Sequence, residues 1–240
     1  MNLTKLFETQ ASLDERIIQE HPELRGQNNL DWKLLALQVE LGECANEWRG
    51  FKKWSKNQKP LTRILTTEGA TNQNAVEYKC GDDECSFTFD AKDGRLKDLW
   101  GDISDDCPIC ENGQLYAMRL KNPLLEEYVD CLHFILSIGL EIECTPGICG
   151  EALTVPNSDI TNQFLRLMEE AFKIQHNLRF KDMHKDKSAL ALNTAFSNYL
   201  RMLGIFRGLG EMLGFTWEQV EEAYYARIRS ITLDKKTDIK

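Results

Sequence analysis

The sequence has no long apolar run, no excess of positive charge and no low-complexity tract. No stretch reaches the roughly 18 apolar residues of a membrane span. The N-terminal letters MNLTKLFETQ hold no apolar segment of signal-peptide length. The formal net charge of −9 disfavours a general nucleic-acid surface, because phosphate backbones are bound by clustered lysine and arginine. We therefore expect a soluble, cytoplasmic protein that contacts no membrane and binds no nucleic acid directly.

In a cytoplasmic protein, we expect the eight cysteines to be thiols or metal ligands rather than disulfides. Cys44 and Cys131 fall on apolar helix faces, where a free cysteine behaves as a small hydrophobic residue. Cys144 and Cys149, in the letters CTPGIC, could form a second metal or redox pair, or remain unpaired thiols.

Most of the chain has the apolar spacing of helices, and 240 residues allow one large domain or one domain with an insert. The last helix should begin with the capping-box letters TWEQ at 216–219. A polar tail, 233–240, should follow it. The predicted helices cover about 2–20, 31–50, 124–142, 159–178, 189–213 and 217–230.

Two pairs of acidic residues, Glu40-x-x-Glu43 and Glu127-x-x-Asp130, lie on two of these helices. Residues three apart share one helix face, so each pair can reach one cation. The second pair lies in LLEEYVDCLHFILSIGLEI, which is apolar on nearly every side, and a buried carboxylate requires a partner. Oxygen ligands favour Mg²⁺. The alternative, solvated surface acids, suits Glu126 but not Asp130.

Residues 61–120 differ from the rest, with short β-type runs (AVEYK, SFTFD, QLYAMRL) between Gly- and Asp-rich turns. This segment holds two short-spaced cysteine pairs, a pattern typical of a four-thiolate zinc ribbon. The expected role of Zn²⁺ is structural, because four cysteines leave no open position. Unpaired or redox-active thiols are the alternative. The four cysteines are Cys80, Cys85, Cys107 and Cys110.

Three blocks of the sequence resemble a known family: FETQASLDERI, ALQVELGECANEWRGFKKW and NPLLEEYVDCLHFILSIGLE. They are similar to the dimeric, all-α dUTPases of Gram-positive bacteria and phages, within the MazG-like nucleoside triphosphate pyrophosphohydrolases. The letters LGFTWEQVEEAYYARIR resemble the last helix of this family. The resemblance implies an all-α helical-bundle core, 1–60 and 121–232, that carries the β-rich zinc-ribbon-like segment 61–120 as an insert.

The resemblance also implies a reaction, the hydrolysis of dUTP to dUMP and pyrophosphate by a metal-activated water. It implies two or more Mg²⁺ ions per site, held by Glu40, Glu43, Glu127 and Asp130. One of Glu40 and Glu43 should orient or deprotonate the water. Physically, such ions lower the pKa of bound water and neutralise phosphate charge. The residues expected at the substrate are Gln10, Asp14, Trp48, Lys52, Lys53, His133, Tyr224 and Arg227.

The last helix departs from the family, which has a K-N-x-x-N-x-x-R type of run after its tyrosines. The cations remain as Arg227 and Arg229, but isoleucines, Ile228 and Ile231, replace the asparagines. Sites built on such amides discriminate steeply, so base specificity is open. The alternatives are a pyrophosphohydrolase for another deoxynucleotide, such as dCTP, and a dUTPase-like binding protein.

Two partners are expected besides a deoxynucleoside triphosphate. The resemblance implies a homodimer. The insert is rich in Asp and Glu, which makes a protein contact or simple bracing more suitable for it than nucleic acid.

Overall fold

The computed structural model describes residues 2–97, 103–144, 146–150, 152–183 and 188–234. The chain forms two compact units. One unit comprises Met1–Pro60 and Leu124–Lys240, and the other comprises Leu61–Pro123. The first is helical and the second contains a small sheet, so the predicted fold class, an all-α protein with a small β-rich insert, is confirmed.

The described part of the helical unit contains one 3-10 helix, Pro22–Leu24, and seven α-helices. Six of the α-helices lie where helical spacing predicts them, and α3 begins at a proline, which suits the first turn of a helix. The α-helices are α1 (Leu3–Glu20), α2 (Leu30–Trp48), α3 (Pro123–Glu141), α4 (Pro146–Gly150), α5 (Ile160–Met183), α6 (Ser188–Met212) and α7 (Trp217–Asp234).

Local side-chain chemistry sets several helix ends. The Asn2 side chain accepts a hydrogen bond from the backbone N–H of Lys5 and caps α1. The predicted capping box of α7 is confirmed, because Thr216 Oγ1 accepts from Gln219 N at 3.3 Å and Gln219 Oε1 accepts from Thr216 N at 3.0 Å. Gly214, with a φ of 85°, follows the end of α6, where glycine tolerates the left-handed conformation.

The core of the helical unit is formed by the apolar faces of its helices. On α2, Leu34, Leu37, Leu41 and Cys44 follow helical apolar spacing and form one buried stripe. Helix α3 is buried on most sides, and Tyr128 donates a hydrogen bond to the carbonyl of Phe206 in α6 at 2.9 Å. The two acidic pairs therefore stand on helices whose positions are fixed by extensive apolar burial.

The insert contains a four-stranded antiparallel sheet in the order β1-β4-β2-β3. Its strands are β1 (Ile64–Thr66), β2 (Glu77–Cys80), β3 (Thr88–Asp90) and β4 (Leu115–Lys121). Tyr78 in β2 lies opposite Phe89 in β3 and Ala117 in β4. Tyr78 and Phe89 join Cys80, Leu96 and Cys107 in a small core.

Three observations differ from expectation. Helix α7 continues to Asp234, so it takes in the first two residues of the expected tail, and 235–240 lie outside the described residues. The short helix α4 was not predicted. Cys144 and Cys149 are joined by a disulfide, and Cys149 lies in α4. The disulfide is the redox pair among the alternatives for these two cysteines, and it differs from the general expectation of thiols or metal ligands.

Among the described residues, no helix combines the length and the apolar character needed to cross a membrane.

Candidate active site

Three carboxylates converge between α2 and α3. One oxygen from each of Glu40, Glu43 and Glu127 lies within 4.8 Å of the other two, and we call these residues the acidic cluster. Glu40 and Glu127 are half-buried and Glu43 is exposed. The spacing of three residues on α2 and the apolar packing of α3 bring the carboxylates together as the sequence predicts.

In the acidic cluster, burial and repulsion between carboxylates outweigh the positive charge of the nearby Arg227. Burial, and then the negative charges of Asp130, Glu43 and Glu40, raise the pKa of Glu127 to about 7. Burial is also the main cause that raises the pKa of Glu40, followed by the charges of Asp130 and Glu43. Such mutual repulsion is relieved when a cation binds between the carboxylates.

Asp130, the fourth expected metal ligand, stands apart from the acidic cluster. Arg227 in α7 donates to both of its oxygens, from Nε to Oδ1 at 2.9 Å and from Nη2 to Oδ2 at 2.8 Å. This bidentate pair is a strong, charge-assisted contact. Metal ligation by Asp130 stays a prediction: its oxygens are bound by Arg227 here, and its charge acts on Glu40 and Glu127.

A cavity of about 370 Å³ lies beside the acidic cluster. This volume is within the roughly 300–1,000 Å³ of small-molecule sites. Glu40 belongs to both the cluster and the cavity wall, so the two features are continuous. The polar and aromatic residues of the wall are Gln10, Asp14, Trp32, Glu40, Asp130, His133, Ser137 and Arg227, and its apolar residues include Phe134 and Ile231.

A hydrogen-bonded network forms one side of this cavity. Gln10 donates from Nε2 to Asp14 Oδ1 at 2.7 Å, and its Oε1 accepts from the Tyr224 hydroxyl at 2.9 Å. Nδ1 of His133 also lies 2.9 Å from Gln10 Oε1, and the His133 and Tyr224 rings are stacked at 4.3 Å. Ser137 donates to Asp14 Oδ2 at 2.5 Å. Tyr224 thus contacts both Gln10 and His133 but does not itself line the cavity.

Lys33 in α2 joins this hydrogen-bonded network through Asp14. Its Nζ donates to Asp14 Oδ2 at 3.2 Å and to Glu141 Oε1 at 2.6 Å. Only 5% of Lys33 is exposed, so this ammonium group is buried between two carboxylates. A buried lysine requires such partners.

Three of the expected substrate residues lie elsewhere. Trp48 packs into the core, with its ring 5.8 Å from that of Phe164, because it continues the apolar stripe of α2. Lys52 donates to Asn46 and lies over the Phe51 ring, whereas Lys53 is exposed. None of these three residues lines the cavity.

The sequence contains signals for two residues of the site that were missed. Lys33 is four residues before Leu37 and thus falls on the apolar stripe of α2, where a lysine must have a buried partner. Trp32 is eight residues before Glu40 and therefore lies on the same face of α2, and both residues line the cavity.

A larger cavity, of about 730 Å³, lies elsewhere in the helical unit and is lined by residues such as Arg207, Trp217 and Glu221. It contains none of the residues that the sequence predicts at the substrate or the metal.

The four cysteines of the insert also converge, and their sulfurs all lie within 4.8 Å of one another. The Sγ atoms of Cys80 and Cys110 are 3.7 Å apart, and those of Cys85 and Cys107 are 3.9 Å apart. Backbone N–H groups of Asn112 and Gly113 lower the pKa of Cys110 to about 7. We call these four residues the cysteine cluster; it belongs to the insert and is described separately from the cavity.

A helical unit that places three convergent carboxylates beside a cavity of small-molecule size fits a hydrolase with a small-molecule substrate. Comparison with family models gives the particular family: a model described as dUTPase matches residues 2–69 and 117–230. The chain belongs to the all-α dUTPase family, which supports a nucleotide pyrophosphohydrolase activity. The cysteine cluster lies between the two matched segments. No curated protein and no solved structure matches the chain.

Proposed function

We propose that the chain is a Mg²⁺-dependent dUTP diphosphatase that releases pyrophosphate and dUMP. The observation that carries this proposal is the position of Glu40, which belongs both to the acidic cluster and to the wall of the cavity. A nucleotide with its sugar and base in the cavity would therefore have its phosphates at the carboxylates. The family match supports the same reaction.

Glu40, Glu43 and Glu127 would hold Mg²⁺, with Asp130 available when Arg227 releases it. Three oxygens within 4.8 Å and the raised pKa of Glu127 fit a hard cation. When bound, two or more Mg²⁺ ions neutralise phosphate charge and lower the pKa of the attacking water.

The protein groups then have distinct tasks. Arg227 can offer its planar guanidinium to a phosphate in the bidentate way in which it now binds Asp130. Either Glu40 or Glu43 orients the attacking water or takes its proton. Gln10, Asp14 and His133 position the nucleoside from the cavity wall, which excludes water from one side of the reaction.

The proposal includes a preference for uracil over other bases, and one residue of the cavity wall affects this preference. Ile231, at a position where the resemblance implies an asparagine, lines the cavity, so an apolar group lies where an amide was expected. A pyrophosphohydrolase for dCTP is the alternative. The test is pyrophosphate release from dUTP, dCTP, dTTP and dATP with Mg²⁺. We expect dUTP to have the highest kcat/KM, and equal values for dUTP and dCTP would contradict this preference.

A dUTPase-like binding protein is the other candidate. The three converging carboxylates favour catalysis over this reading, because metal-assisted hydrolysis needs a cation site beside the bound nucleotide. Absence of hydrolysis for every nucleotide in the panel, with nucleotide binding retained, would favour the binding protein.

The insert is proposed to hold one structural Zn²⁺ in the cysteine cluster. With a Zn–S bond of about 2.3 Å, tetrahedral geometry requires sulfurs about 3.8 Å apart. The distances of 3.7 Å and 3.9 Å support this. Gly113 donates its N–H to Cys110 Sγ at 3.4 Å, and a Cβ at Gly113 would clash with Cys80 Sγ, which explains the glycine. A protein partner at the insert remains part of this proposal.

A homodimer is proposed from the surface of α2. Trp32, Leu35 and Val39 are 40%, 64% and 51% exposed and share one face of the helix. Large exposed apolar side chains in a row are typical of a contact surface. Trp32 also lines the cavity, so this surface adjoins the proposed nucleotide site.

A further inference from the structure

The Gln10 amide has a single orientation because of its neighbour. Asp14 is a carboxylate and can only accept hydrogen bonds, so it must be met by the NH₂ group of Gln10, as the 2.7 Å contact from Nε2 to Oδ1 shows. The amide oxygen, Oε1, then points the other way, toward the Tyr224 hydroxyl and the His133 ring.

This orientation decides which nitrogen of His133 carries the proton. Oε1 of Gln10 has no proton to give, and Nδ1 of His133 lies 2.9 Å from it. Nδ1 must therefore be the donor. The ring is neutral at physiological pH, since burial, helped by the charge of Arg227, lowers the pKa of His133 to about 3. In a neutral imidazole with a proton on Nδ1, Nε2 has a free lone pair and accepts hydrogen bonds.

Nε2 of His133 has no hydrogen-bond partner among the described residues, and it is shielded from water. A buried acceptor without a donor costs free energy, which a ligand that supplies the donor recovers. His133 is 7% exposed and lies on the cavity wall. A ligand group that reaches Nε2 from the cavity should therefore be an O–H or N–H donor.

Lys33 is the group that fixes the start of this chain of contacts. Asp14 receives donors from Gln10, Ser137 and Lys33, and Lys33 alone among them supplies a positive charge. Glu141 holds Lys33 from its other side at 2.6 Å. Without this ammonium group, Asp14 would be a buried carboxylate without a compensating cation.

We propose that Lys33 is a positioning residue, which acts through Asp14 and Gln10 to hold His133 as an Nε2 acceptor for an O–H or N–H donor of the nucleoside. The 3′-hydroxyl of the deoxyribose and the N3–H of uracil are the two candidate donors. This inference rests on the proposed function, because the donor is taken to belong to a bound deoxynucleotide.

The first test is the tautomer of His133, observed by ¹⁵N NMR of the labelled protein at neutral pH. The signals of the four histidines are separated by comparison with His133→Gln. We expect a neutral His133 with its proton on Nδ1. A proton on Nε2, or a charged ring, would overturn the inference without any variant at Lys33.

The second test separates positioning from simple support. Asp14→Asn has nearly the same shape, but its amide can donate as well as accept, so the Gln10 amide can adopt either orientation. Lys33→Met removes the positive charge beside Asp14. In both variants we expect His133 to show both tautomers. Lys173→Met is the matched control, because Lys173 also bridges two carboxylates, Glu169 and Glu170, and lies outside the cavity. If His133 keeps a single tautomer in both Asp14→Asn and Lys33→Met, the proposal that Lys33 acts on His133 through Asp14 and Gln10 is contradicted.

The third test identifies the donor by calorimetry with dUMP, its 3′-deoxy analogue and its N3-methyl analogue. One analogue should bind about tenfold more weakly or worse, because it leaves the buried acceptor unpaired. Equal affinities for all three would overturn the assignment of Nε2 as an acceptor for substrate. If dUMP does not bind and dUTP is not hydrolysed, the proposed function fails, whereas the NMR spectrum still decides the tautomer.

Discussion

Arg227 binds Asp130 through two parallel hydrogen bonds, at 2.9 Å and 2.8 Å. Among the described residues, the three carboxylates of the nearby acidic cluster form no such bidentate ion pair. The pair of Arg227 and Asp130 joins α7 to α3 at the edge of the cavity. Arg227 thus neutralises Asp130, which belongs to the second acidic pair but lies outside the acidic cluster. In the proposed reaction it must exchange that carboxylate for a phosphate.

Arg227→Gln should separate the two roles of Arg227, which are to bind Asp130 in the free protein and to bind phosphate in the proposed reaction. Removing the guanidinium frees Asp130 and removes positive charge from the acidic cluster, so Mg²⁺ should bind more tightly without nucleotide. The kcat/KM for dUTP should fall about tenfold to a hundredfold, because a charged hydrogen bond to phosphate is lost. Calorimetry and initial rates measure the two effects.

The control for this prediction is Arg25→Gln. Arg25 forms an exposed ion pair with Glu15 at 3.4 Å, and its loss should change neither quantity. Weaker Mg²⁺ binding in Arg227→Gln would contradict the role of Arg227 as a competitor for Asp130.

Much of the fold follows from local patterns. The stripe of Leu34, Leu37 and Leu41 gives α2, and the acidic pairs fall where helical spacing places them. The small sheet and the cysteine cluster were predicted from β-type runs and cysteine spacing. Contacts between residues that are distant in the sequence could not be predicted.

Two such contacts explain the differences at the site. Asp130 and Arg227 are 97 residues apart, and no local pattern reports that they pair. Trp48 was expected at the substrate from the resemblance, yet it also continues the apolar stripe of α2, and in the structure its ring packs beside that of Phe164. Lys33 carried a readable signal, since a lysine on a buried stripe requires partners, but its partners come from α1 and α3.

Mg²⁺ binding should depend on pH through Glu127. Its pKa is raised to about 7 from a model-compound value of 4.5, so the carboxyl is partly protonated near neutrality and must lose its proton to bind metal. The apparent Mg²⁺ affinity should rise between about pH 6 and pH 7, by at most about tenfold per pH unit, and then level off. Calorimetry over this pH range measures it.

The same shift predicts the sign of a stability change. Without metal, the stabilisation from a protonated Glu127 is fully present below pH 4.5 and is lost as the pH rises through about 7. Mg²⁺ should oppose this loss, so the Tm gain on adding Mg²⁺ should increase with pH. A Tm gain and an affinity that are both independent of pH would contradict this account of Glu127.

Cys107→Ser should remove zinc from the insert. The wild-type protein should contain about one zinc per chain, and the variant well under half of that, because a structural site needs all four ligands. Elemental analysis measures the metal, and protease cleavage within 61–123 reports whether the insert remains folded.

Cys44→Ala is the matched control, since Cys44 is a buried cysteine of the helical core and lies outside the cysteine cluster. Its zinc content should equal that of the wild type. Wild-type protein that carries no zinc after expression with zinc in the medium would refute the structural site.

Leu35→Glu should disrupt the proposed homodimer. It places a charge in the centre of the exposed apolar face of α2, which should weaken association about tenfold or more. Sedimentation equilibrium measures the effect. Leu165→Glu, at a leucine of α5 with a similar exposure of 57%, is the control and should leave the dimer intact. A monomeric wild type, or an unchanged Leu35→Glu dimer, would contradict the assignment of this surface.

The most direct test of the central claim is pyrophosphate release from dUTP by the wild type, Glu43→Gln and Glu127→Gln, with and without Mg²⁺. We expect Mg²⁺-dependent release by the wild type, abolished by chelation, and a loss of about a hundredfold or more in both variants with unchanged helical circular dichroism. Glu222→Gln, at an exposed glutamate of α7, should keep wild-type activity. Hydrolysis without metal, or full activity in Glu127→Gln, would contradict an active site at the acidic cluster.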